Sequence, residues 1–383
     1  MTRRTIVFVG NCQLGTLTNL YNRVVAPDSD ATAIWFASYE DASPEQLRVI
    51  AEADIVVRQV QDFAPRIGDF ATDAAVQLVP HVTAAFLWPC TGQAHPKNQP
   101  HRYSDASGPY SAELSDSFLN RMILDGVEPD EAAAKFMAAD IATLRKAGRM
   151  REILMQKQRS RDLMCGYRFA DFIEARFQSE RLFRSPNHPD IPLSILLATE
   201  VFGRLGIDNA ILERIQAEPP DQLFPPSETP IHPSVIAHFG LSWADADTRY
   251  RYFDEGRFTC AEYALRYMRY EWNPLLSEGY ELARNGQCDA AIETLQRAIA
   301  LSPRSANGRS VLADQLALKG RLAEAAAVAE AAAGLDPENA HFRNRLAYLT
   351  SRLRAAAPSR PTPGQSDHVA PSGESRAPMA IRN

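Results

Sequence analysis

Short apolar runs alternate with amphipathic segments over about the first 90 residues of the chain. Runs rich in β-branched and aromatic residues predict buried strands at residues 5–9, 33–36, 55–60 and 83–88. The spacing of Leu14, Leu17 and Leu20 predicts a helix that reaches about Val25, and a second helix is predicted at residues 44–53. This alternation is typical of an α/β fold in which flanking helices cover a parallel sheet.

Helical patterns dominate after a long polar loop. Residues 89–112 are rich in proline, histidine and tyrosine, and because loops of this length are often functional, we expect a functional loop here. Helices are predicted at residues 113–125, 129–147, 149–183, 193–205 and 209–217. Pro186 and Pro189 place residues 184–190 in a polar insertion, since proline cannot continue a helix.

The C-terminal part has an internal period of 34 residues. Small residues and prolines recur at this spacing in five pairs: Gly279 and Ala313, Gly286 and Gly320, Ala291 and Ala325, Ala298 and Ala332, and Pro303 and Pro337. This pattern resembles the tetratricopeptide repeat, although the usual aromatic position holds Leu295 in one unit and Ala329 in the other. The last helix, predicted at residues 341–354, either begins a third unit or caps the array.

These patterns divide the chain into four segments. We predict an α/β domain at residues 1–245, a helical connector at 246–271, an all-α repeat domain at 272–356 and a disordered tail at 357–383 that is rich in proline, serine and glycine.

Composition narrows the class of protein. The chain has 383 residues, of which 45% are hydrophobic, and its formal net charge of -6 argues against general nucleic-acid binding. No apolar segment approaches the roughly 20 residues of a membrane helix, so we expect no membrane span and a cytoplasmic location. The five cysteines form no Cys-x-x-Cys pair, which predicts reduced thiols. His95 with His101, and His232 with His238, lack the companions of a metal site, so we predict no metal.

Cys12 is the residue whose position best suits a chemical role. It follows Gly10 and Asn11, where the first predicted strand passes into the first predicted helix. Ligands bind at this edge of open α/β sheets, and a helix start favours anions, so a thiol there should ionise more readily than a free one. Cysteine is also often a small buried hydrophobic residue, and that alternative stays open.

Positive charge is concentrated in the second half of the α/β domain. Residues 145–184 contain 11 Lys and Arg against 5 Asp and Glu. This segment is either a solvated helical face or a surface that holds a phosphate-bearing ligand.

Four short motifs give the first 217 or so residues a family resemblance. They are Val9-Gly10-Asn11-Cys12-Gln13, the Asp54 to Gln59 strand, the polar loop leading to Tyr110 and Asp116, and Pro186-Asn187-His188-Pro189. Their order and spacing resemble those of the motifs in the WcbI-type capsular polysaccharide biosynthesis family. The resemblance implies coenzyme A binding and acetyl transfer to a capsule sugar.

The resemblance and the chemistry of acyl transfer together suggest roles for individual residues. The predicted catalytic residues are Cys12, as acyl acceptor or as a neighbour of the coenzyme thiol, His188 as general base, and Asp190, which would orient His188 and raise its pKa. Asn11, Gln13, Gln59 and Asn187 are the predicted oxyanion or polar residues. Coenzyme binding is predicted for Gly10, Arg58, Lys97, Arg102, Tyr103, Arg151, Arg159 and Arg161.

Two other functions stay open at this point. A looser similarity to SGNH hydrolases suggests an SGNH-like open α/β domain and an esterase, although Cys12 stands where those enzymes have serine. A non-catalytic adaptor, in which the repeats bind a protein partner, is the third hypothesis. The polar residues at the predicted strand ends favour the transferase, with a sugar or polysaccharide as acceptor.

Overall fold

The computed structural model describes residues 4–62, 66–67, 70, 72–98, 110, 114–217, 228–252, 255–337 and 339–356. Arg102, Tyr103, His101 and the predicted tail lie outside these residues. Within them, no helix is both long enough and apolar enough to cross a membrane.

A four-stranded parallel sheet forms the centre of the first half of the chain. Its strands are β1 (Arg4–Gly10), β2 (Ala31–Ala37), β3 (Ile55–Val60) and β4 (Ala75–Pro80), arranged in the order β2-β1-β3-β4. Helices α1 (Cys12–Leu20) and α2 (Pro44–Ala51) follow β1 and β2, and short π and 3₁₀ turns extend α1 to Asp28. The predicted α/β class is therefore confirmed.

The two faces of the sheet carry different cores. Ile6, Phe8 and Val57 belong to the large core, whereas Val7, Val9 and Val56 pack with Ile50 of α2 in a smaller one. Because β2 and β3 lie on opposite sides of β1, the connections leaving β1 and β3 diverge. They leave a crevice at the carboxyl edge, which is where open α/β sheets bind ligands.

The fourth strand is not where the sequence predicts it. Residues 83–88 contain a 3₁₀ turn, Ala85–Leu87, and the strand is β4. Since β4 lies at the edge of the sheet and its first residues are exposed, its hydrophobic run is too weak to stand out in the sequence.

Helices make up most of the chain between residues 114 and 240. They are α3 (Ser117–Leu124), α4 (Pro129–Ala138), α5 (Ile141–Leu144), α6 (Ala147–Cys165), α7 (Phe169–Arg176), α8 (Ile191–Arg204), α9 (Asn209–Gln216) and α10 (Pro233–Phe239). The predicted single helix over 149–183 is wrong, because Gly166 ends α6 in the left-handed conformation, at φ 76°.

Two small hairpins complete this part of the structure. Strands β5 (Phe183–Ser185) and β6 (His188–Pro189) pair in the predicted polar insertion, and β7 (Tyr250–Tyr252) pairs with β8 (Gly256–Phe258). Helix α11 (Cys260–Met268) follows. The segment predicted as a helical connector thus begins with a hairpin, and its Tyr252, Tyr263 and Tyr267 belong to the large core. The domain boundaries themselves stay predictions.

The repeat region is a stack of antiparallel helices. It contains α12 (Pro274–Arg284), α13 (Cys288–Leu301), α14 (Ala306–Leu318), α15 (Leu322–Leu335) and α16 (Ala340–Ala356). Leu295, Ala313, Leu316 and Ala329 form its core. The predicted 34-residue units are therefore two helix pairs followed by one further helix.

Candidate functional site

The start of α1 is built by three consecutive residues. Gly10 lies so close to its neighbours that an added Cβ would come within 2.7 Å of Leu14 Cδ1 and 2.8 Å of Gln59 Cβ. Asn11 caps the helix, because its side chain accepts a hydrogen bond from the Gln13 N–H at 2.9 Å. Cys12 is then the first helical residue and is half-buried.

The carboxamide of Gln13 ties this turn to two other segments. Its Nε2 donates to the carbonyl oxygens of Val82 and Asn187, both at 2.7 Å, and its Oε1 accepts from Gln59 Nε2 at 3.0 Å and from the Val82 N–H at 3.2 Å. Gln13 is 4% exposed, and all of these partners satisfy it fully. The turn that carries His188 is thereby fastened to the carboxyl edge of the sheet.

Cys12 and His188 line one cavity, although 176 positions separate them in the sequence. Arg184 lines it too, and its remaining walls come from α1, β6 and α8: Gln13, Thr16, Leu17, Pro189, Ser194 and Leu197. The cavity has a volume of about 10 Å³, room for about one water molecule. The predicted proximity of Cys12 and His188 agrees with this geometry, while their catalytic roles stay predictions.

His188 has a different partner from the one predicted. Its Nδ1 lies 2.5 Å from the hydroxyl of Ser185, which is completely buried, and its Nε2 has no hydrogen-bond partner among the described residues. Burial, together with the charge of Arg184, lowers the pKa of His188 to about 4. The ring is therefore neutral near pH 7.

The predicted role of Asp190 as the partner of His188 is wrong. Its carboxylate caps α8 by accepting from the Ile191 N–H at 2.9 Å, and it pairs with Arg181 Nε at 2.5 Å. Both carboxylate oxygens are engaged with other groups, and burial and the charge of Arg184 lower the pKa of His188 instead of raising it.

Arg184 is a site residue that the sequence analysis missed. It is 7% exposed and lines the cavity beside Cys12, with which it interacts electrostatically. A guanidinium next to a sulfur favours the thiolate form. The sequence feature that could have indicated Arg184 is its position two residues before Pro186, at the start of the polar insertion.

Most of the predicted oxyanion donors are already used. The Gln13 N–H bonds to Asn11, and the amide nitrogens of Gln13 and Gln59 are taken by the contacts described above. Gln59 Oε1 also accepts from the Asn11 N–H at 2.9 Å. In the described part of the chain, Asn11 Nδ2 has no hydrogen-bond partner, and Asn187 contributes its carbonyl oxygen to Gln13.

Among the predicted coenzyme-binding cations that the structure describes, none lines the Cys12 cavity. Arg161 is buried, and its three nitrogens bind the His81 carbonyl oxygen, Asp62 and the Gln158 side chain, so its predicted phosphate contact is wrong. Lys97 pairs with Glu271 at 2.5 Å, and Arg159 pairs with Glu174.

Arg58 and Arg151 lie against aromatic rings. The guanidinium of Arg58 is 5.1 Å from the centre of the Phe70 ring, and that of Arg151 is 5.7 Å from the Phe177 ring. Arg58 is half-buried, and because side chains alternate along a strand, it lies on the opposite face of the sheet from Gln59. Gly10 serves close packing, as its contacts with Leu14 and Gln59 show.

Burial makes the thiols of the other three buried cysteines unreactive. Burial raises the pKa of Cys90 and Cys260 to about 12 and that of Cys165 to about 11. All five cysteines are free thiols. Within the described residues, no cluster of three or more His, Cys, Asp or Glu side chains could hold a metal ion.

Comparison with known proteins agrees with this geometry. Residues 5–210 match the model of the family "Polysaccharide biosynthesis enzyme WcbI", and residues 276–340 match a tetratricopeptide repeat model. No curated protein matches the chain significantly.

One solved structure has a similar fold. It is a WcbI protein described as a novel polysaccharide biosynthesis enzyme, in its native form without a disulfide bond between coenzyme A and a cysteine of that protein. The two are 16% identical, with a TM-score of 0.52, over 77% of this chain and 99% of that one. Since the family model covers more than half of the sequence, the chain belongs to the WcbI family of polysaccharide biosynthesis enzymes and carries tetratricopeptide repeats after that domain.

Proposed function

We propose that this protein transfers an acyl group, most simply acetyl, from coenzyme A to a sugar hydroxyl during the synthesis of a capsular or surface polysaccharide. The observation that carries the proposal is the cavity at the carboxyl edge of the sheet, where Cys12, Arg184 and His188 meet. Acyl transfer needs a base for the hydroxyl proton and a charged environment for sulfur, and these three side chains supply both.

The side chains at the cavity suit the sulfur of coenzyme A in chemical character, and the cavity of about 10 Å³ must widen to admit the acyl thioester. Cys12 is half-buried at a helix start, and Arg184 beside it favours a sulfur anion. When bound, the coenzyme would supply the acyl thioester. Its phosphates would need cations outside the cavity, and Arg102 and Tyr103, predicted for this role, lie outside the described residues.

His188 is the proposed general base. Ser185 fixes the ring through Nδ1, and the neutral Nε2 can take the proton of the attacking hydroxyl. The hydroxyl oxygen then bonds to the acyl carbon as the carbon–sulfur bond breaks, and His188 returns the proton to the departing sulfur. In a two-step alternative, the Cys12 sulfur first attacks the acyl carbon, and its proton passes through His188 to the departing coenzyme sulfur. The sugar hydroxyl then attacks the Cys12 thioester, and its proton passes through His188 to the departing Cys12 sulfur.

Two substitutions test the proposal. His188→Ala should lower turnover by about 10² to 10⁴ with little change in coenzyme affinity, because it removes the base and leaves the binding residues in place. Cys12→Ala should abolish turnover if the acyl group passes through the thiol, and should have a modest effect in direct transfer. Exposed His238→Gln is the matched control. Unchanged transfer in both site variants would overturn the proposal.

Thiol labelling provides a readout that does not depend on turnover. Iodoacetamide should modify Cys12 and Cys288, the two half-buried cysteines, and coenzyme A should protect Cys12 alone. A thermal shift should accompany binding, about 2.7 kcal/mol of added stability at a hundred times the dissociation constant. Equal labelling of Cys12 with and without coenzyme, and no thermal shift, would contradict coenzyme binding at this cavity and favour an adaptor.

The pH profile tests the base directly. Because the pKa of His188 in the ligand-free protein is lowered to about 4, the neutral base persists down to about pH 5, and the acidic limb of kcat/KM should lie near pH 4. A limb near the ordinary histidine value, about 6.5, would argue against this ring as the base.

We further propose that the repeats bind a protein partner. Tetratricopeptide units stack into extended surfaces that carry such interactions, and the described repeat helices show this stacking. Pull-down with the full chain, compared with a chain ending after Asn273, tests this assignment, and equal recovery of partners would contradict it.

A further inference from the structure

Two buried polar atoms at the carboxyl edge of the sheet have no partner. His81 Nε2 and Gln61 Oε1 make no hydrogen bond with any residue that the structure describes. His81 is 7% exposed. An unpaired buried polar group destabilises a fold, so most such groups in folded proteins are paired with protein or water.

The two residues occupy matching positions on neighbouring strands. The register of β3 and β4 ends at Val60 and Pro80, and the next residues along the chain are Gln61 and His81. The His81 N–H donates to the Val60 carbonyl oxygen at 2.9 Å, which continues the pairing by one residue. Residues opposite each other in a parallel pair have side chains on the same face, so the two unpaired groups share one side of the sheet.

Each residue connects to the turn that carries Cys12 through one intermediate residue. Gln61 Nε2 donates to Gln59 Oε1 at 2.8 Å, and that same oxygen accepts from the Asn11 N–H. The residue after His81, Val82, exchanges two hydrogen bonds with Gln13. His81 also interacts electrostatically with His188. The two residues do not line the Cys12 cavity, but they are joined to its wall at Gln13 through Gln59 and Val82.

Hydrogen bonds from neighbouring residues hold the backbone of His81 and the side chain of Gln61. Arg161 Nε donates to the His81 carbonyl oxygen at 3.1 Å, and the same guanidinium pairs with Asp62 and Gln158. Gln61 is held by a second bond from Nε2 to Ser38 Oγ at 2.9 Å. The two unpaired atoms are themselves closed to solvent, so a ligand reaches them only when neighbouring side chains move aside, while the His81 backbone and the Gln61 carboxamide stay held.

The chemistry of the two groups defines the ligand. Burial and the charge of Arg161 lower the pKa of His81 to about 3, so the imidazole is neutral, as is the Gln61 carboxamide. A phosphate or carboxylate would need cations, whereas a neutral hydroxyl both accepts and donates one hydrogen bond.

We propose that His81 and Gln61 form a hydroxyl-binding subsite for the acceptor sugar, an inference that rests on the proposed function. In the tautomer with a proton on Nε2, His81 donates to the hydroxyl oxygen while Gln61 Oε1 accepts the hydroxyl hydrogen. The hydroxyl held in this way is not the attacking one, because the attacking hydroxyl must give its proton to His188. The subsite therefore selects which hydroxyl of the sugar reaches the acyl group.

Stability measurements separate a ligand-binding role of His81 from a structural one. His81→Leu removes a ring with no internal hydrogen bond, so the urea midpoint should stay equal or rise. The control is His95→Leu, which loses the contact of Nε2 with the Tyr267 carbonyl oxygen and the bond from the Lys97 N–H, and should unfold at lower urea. A fall in His81→Leu as large as that of the control would overturn the subsite.

Binding is tested on the full chain by ¹⁵N NMR of labelled histidines, with a panel of neutral hexoses and 6-deoxyhexoses as probes. The His81 Nε2 resonance is assigned from its loss in His81→Gln. With coenzyme A present, at least one sugar should shift this resonance, while coenzyme A alone should not. A shift with coenzyme A alone would assign the subsite to a hydroxyl of the carrier, and no shift with any sugar would mean that water alone fills it. Both results overturn the proposal.

Affinity gives the second measure. For the sugar that shifts His81, the calorimetric dissociation constant should rise about three- to tenfold in His81→Leu, the loss of one neutral hydrogen bond. His81→Gln, which keeps a nitrogen donor, should recover most of that affinity, and an equal loss in both variants would contradict the assignment. If coenzyme A itself fails to bind the unmodified protein, the proposed function fails independently of the sugar result.

Discussion

At the residue scale, the site depends on Gln13, a side chain that performs no chemistry. Its four hydrogen bonds join the start of α1, the segment after β4 and the His188 turn, so each carboxamide atom is fully satisfied. A buried polar network with every member paired is rigid. Gln13 thereby holds Cys12 and His188 at one cavity.

Gly10 makes this arrangement possible because it has no side chain. Gly10→Ala would place a Cβ within 2.8 Å of Leu14 and Gln59 side-chain atoms, and we expect a loss of about 1–3 kcal/mol in the free energy of unfolding together with weaker coenzyme binding. Urea unfolding and a thermal shift with coenzyme A measure these effects. Gly92→Ala is the control, since its nearest neighbour, Ser117 Cβ, is 3.9 Å from the added atom. Equal stability of both variants would show that the turn can adjust.

Buried histidines should make the protein sensitive to mild acid. Burial lowers the pKa of His81 to about 3 and that of His95 and His188 to about 4, against about 6.5 in the unfolded chain. Between pH 6.5 and 4 the unfolded state therefore binds more protons, and stability falls with falling pH by about 1.4 kcal/mol per unit for each histidine. Burial raises the pKa of Asp116 to about 6, so this carboxyl binds a proton more readily in the folded state. It therefore offsets the loss of stability caused by about one of the three histidines.

Urea unfolding at about pH 7 and about pH 5 measures this sensitivity. The stability should be full above pH 6.5 and clearly lower at pH 5, and His95→Gln should reduce the slope, because one titrating group is removed. Exposed His238→Gln should leave the slope unchanged. A free energy of unfolding that is the same at both pH values would contradict the proposed burial effect.

At the element scale, α6 shows why a charge count does not locate a phosphate site. Its cations pair with acidic residues of other segments: Lys157 and Arg161 with Asp62, and Arg159 with Glu174. Of these acidic partners only Asp62 lies outside residues 145–184, so the pairs occupy three cations and leave most of the positive excess of that segment in place. The largely exposed pairs of Lys157 and Arg159 contribute about 0–1 kcal/mol each.

Close contact between paired helices explains the small residues of the repeat. A Cβ on Gly279 of α12 would lie 2.6 Å from Leu295 Cδ2 of α13. Gly279→Ala should therefore destabilise the repeats by about 1–3 kcal/mol, despite the better helix propensity of alanine. Gly334→Ala in α15 is the matched control: nothing lies within 4 Å of its added Cβ, so it should gain up to about 1 kcal/mol. Urea unfolding compares the two, and a stabilised Gly279→Ala would show that Leu295 moves aside.

At the scale of the whole molecule, the β7–β8 hairpin joins the repeats to the first domain. Arg251 Nη1 pairs with Asp336 Oδ2 at 2.6 Å, with side chains 11% and 3% exposed. Arg304 donates to the Glu255 carbonyl oxygen at 2.7 Å and lies 5.2 Å from the Phe258 ring. The contact is polar and specific, which suits a fixed arrangement of the two regions.

Breaking this buried pair should be costly. Asp336→Asn leaves the Arg251 charge buried without its partner, and we expect a loss of about 3 kcal/mol or more in the free energy of unfolding. Asp289→Asn is the control, because its pair with Lys319 is exposed and should contribute little to stability. Urea unfolding of both variants measures the difference. Similar small losses would mean that the hairpin contact does not stabilise the molecule.

Local patterns by themselves determined β1, β2, β3, the start of α1 and the repeat period. These features depend on residues close in sequence: alternation along a strand, a capping Asn11 before Cys12, and small residues at fixed spacing. The family resemblance also rests on such short motifs, and the family match confirms it.

Only the tertiary structure decided which polar groups meet. Arg184 beside Cys12 and the acidic partners of Arg159 and Arg161 depend on contacts between different segments of the chain. Ser185 in place of Asp190 beside His188 depends on how the β5–β6 hairpin folds, because both residues are close to His188 in the sequence. His81 was missed because β4 was missed, and an edge strand lacks the hydrophobic pattern of a buried one. Charged and polar side chains are recognisable in a sequence, but burial and partners fix their pKa and their role, and those come from packing alone.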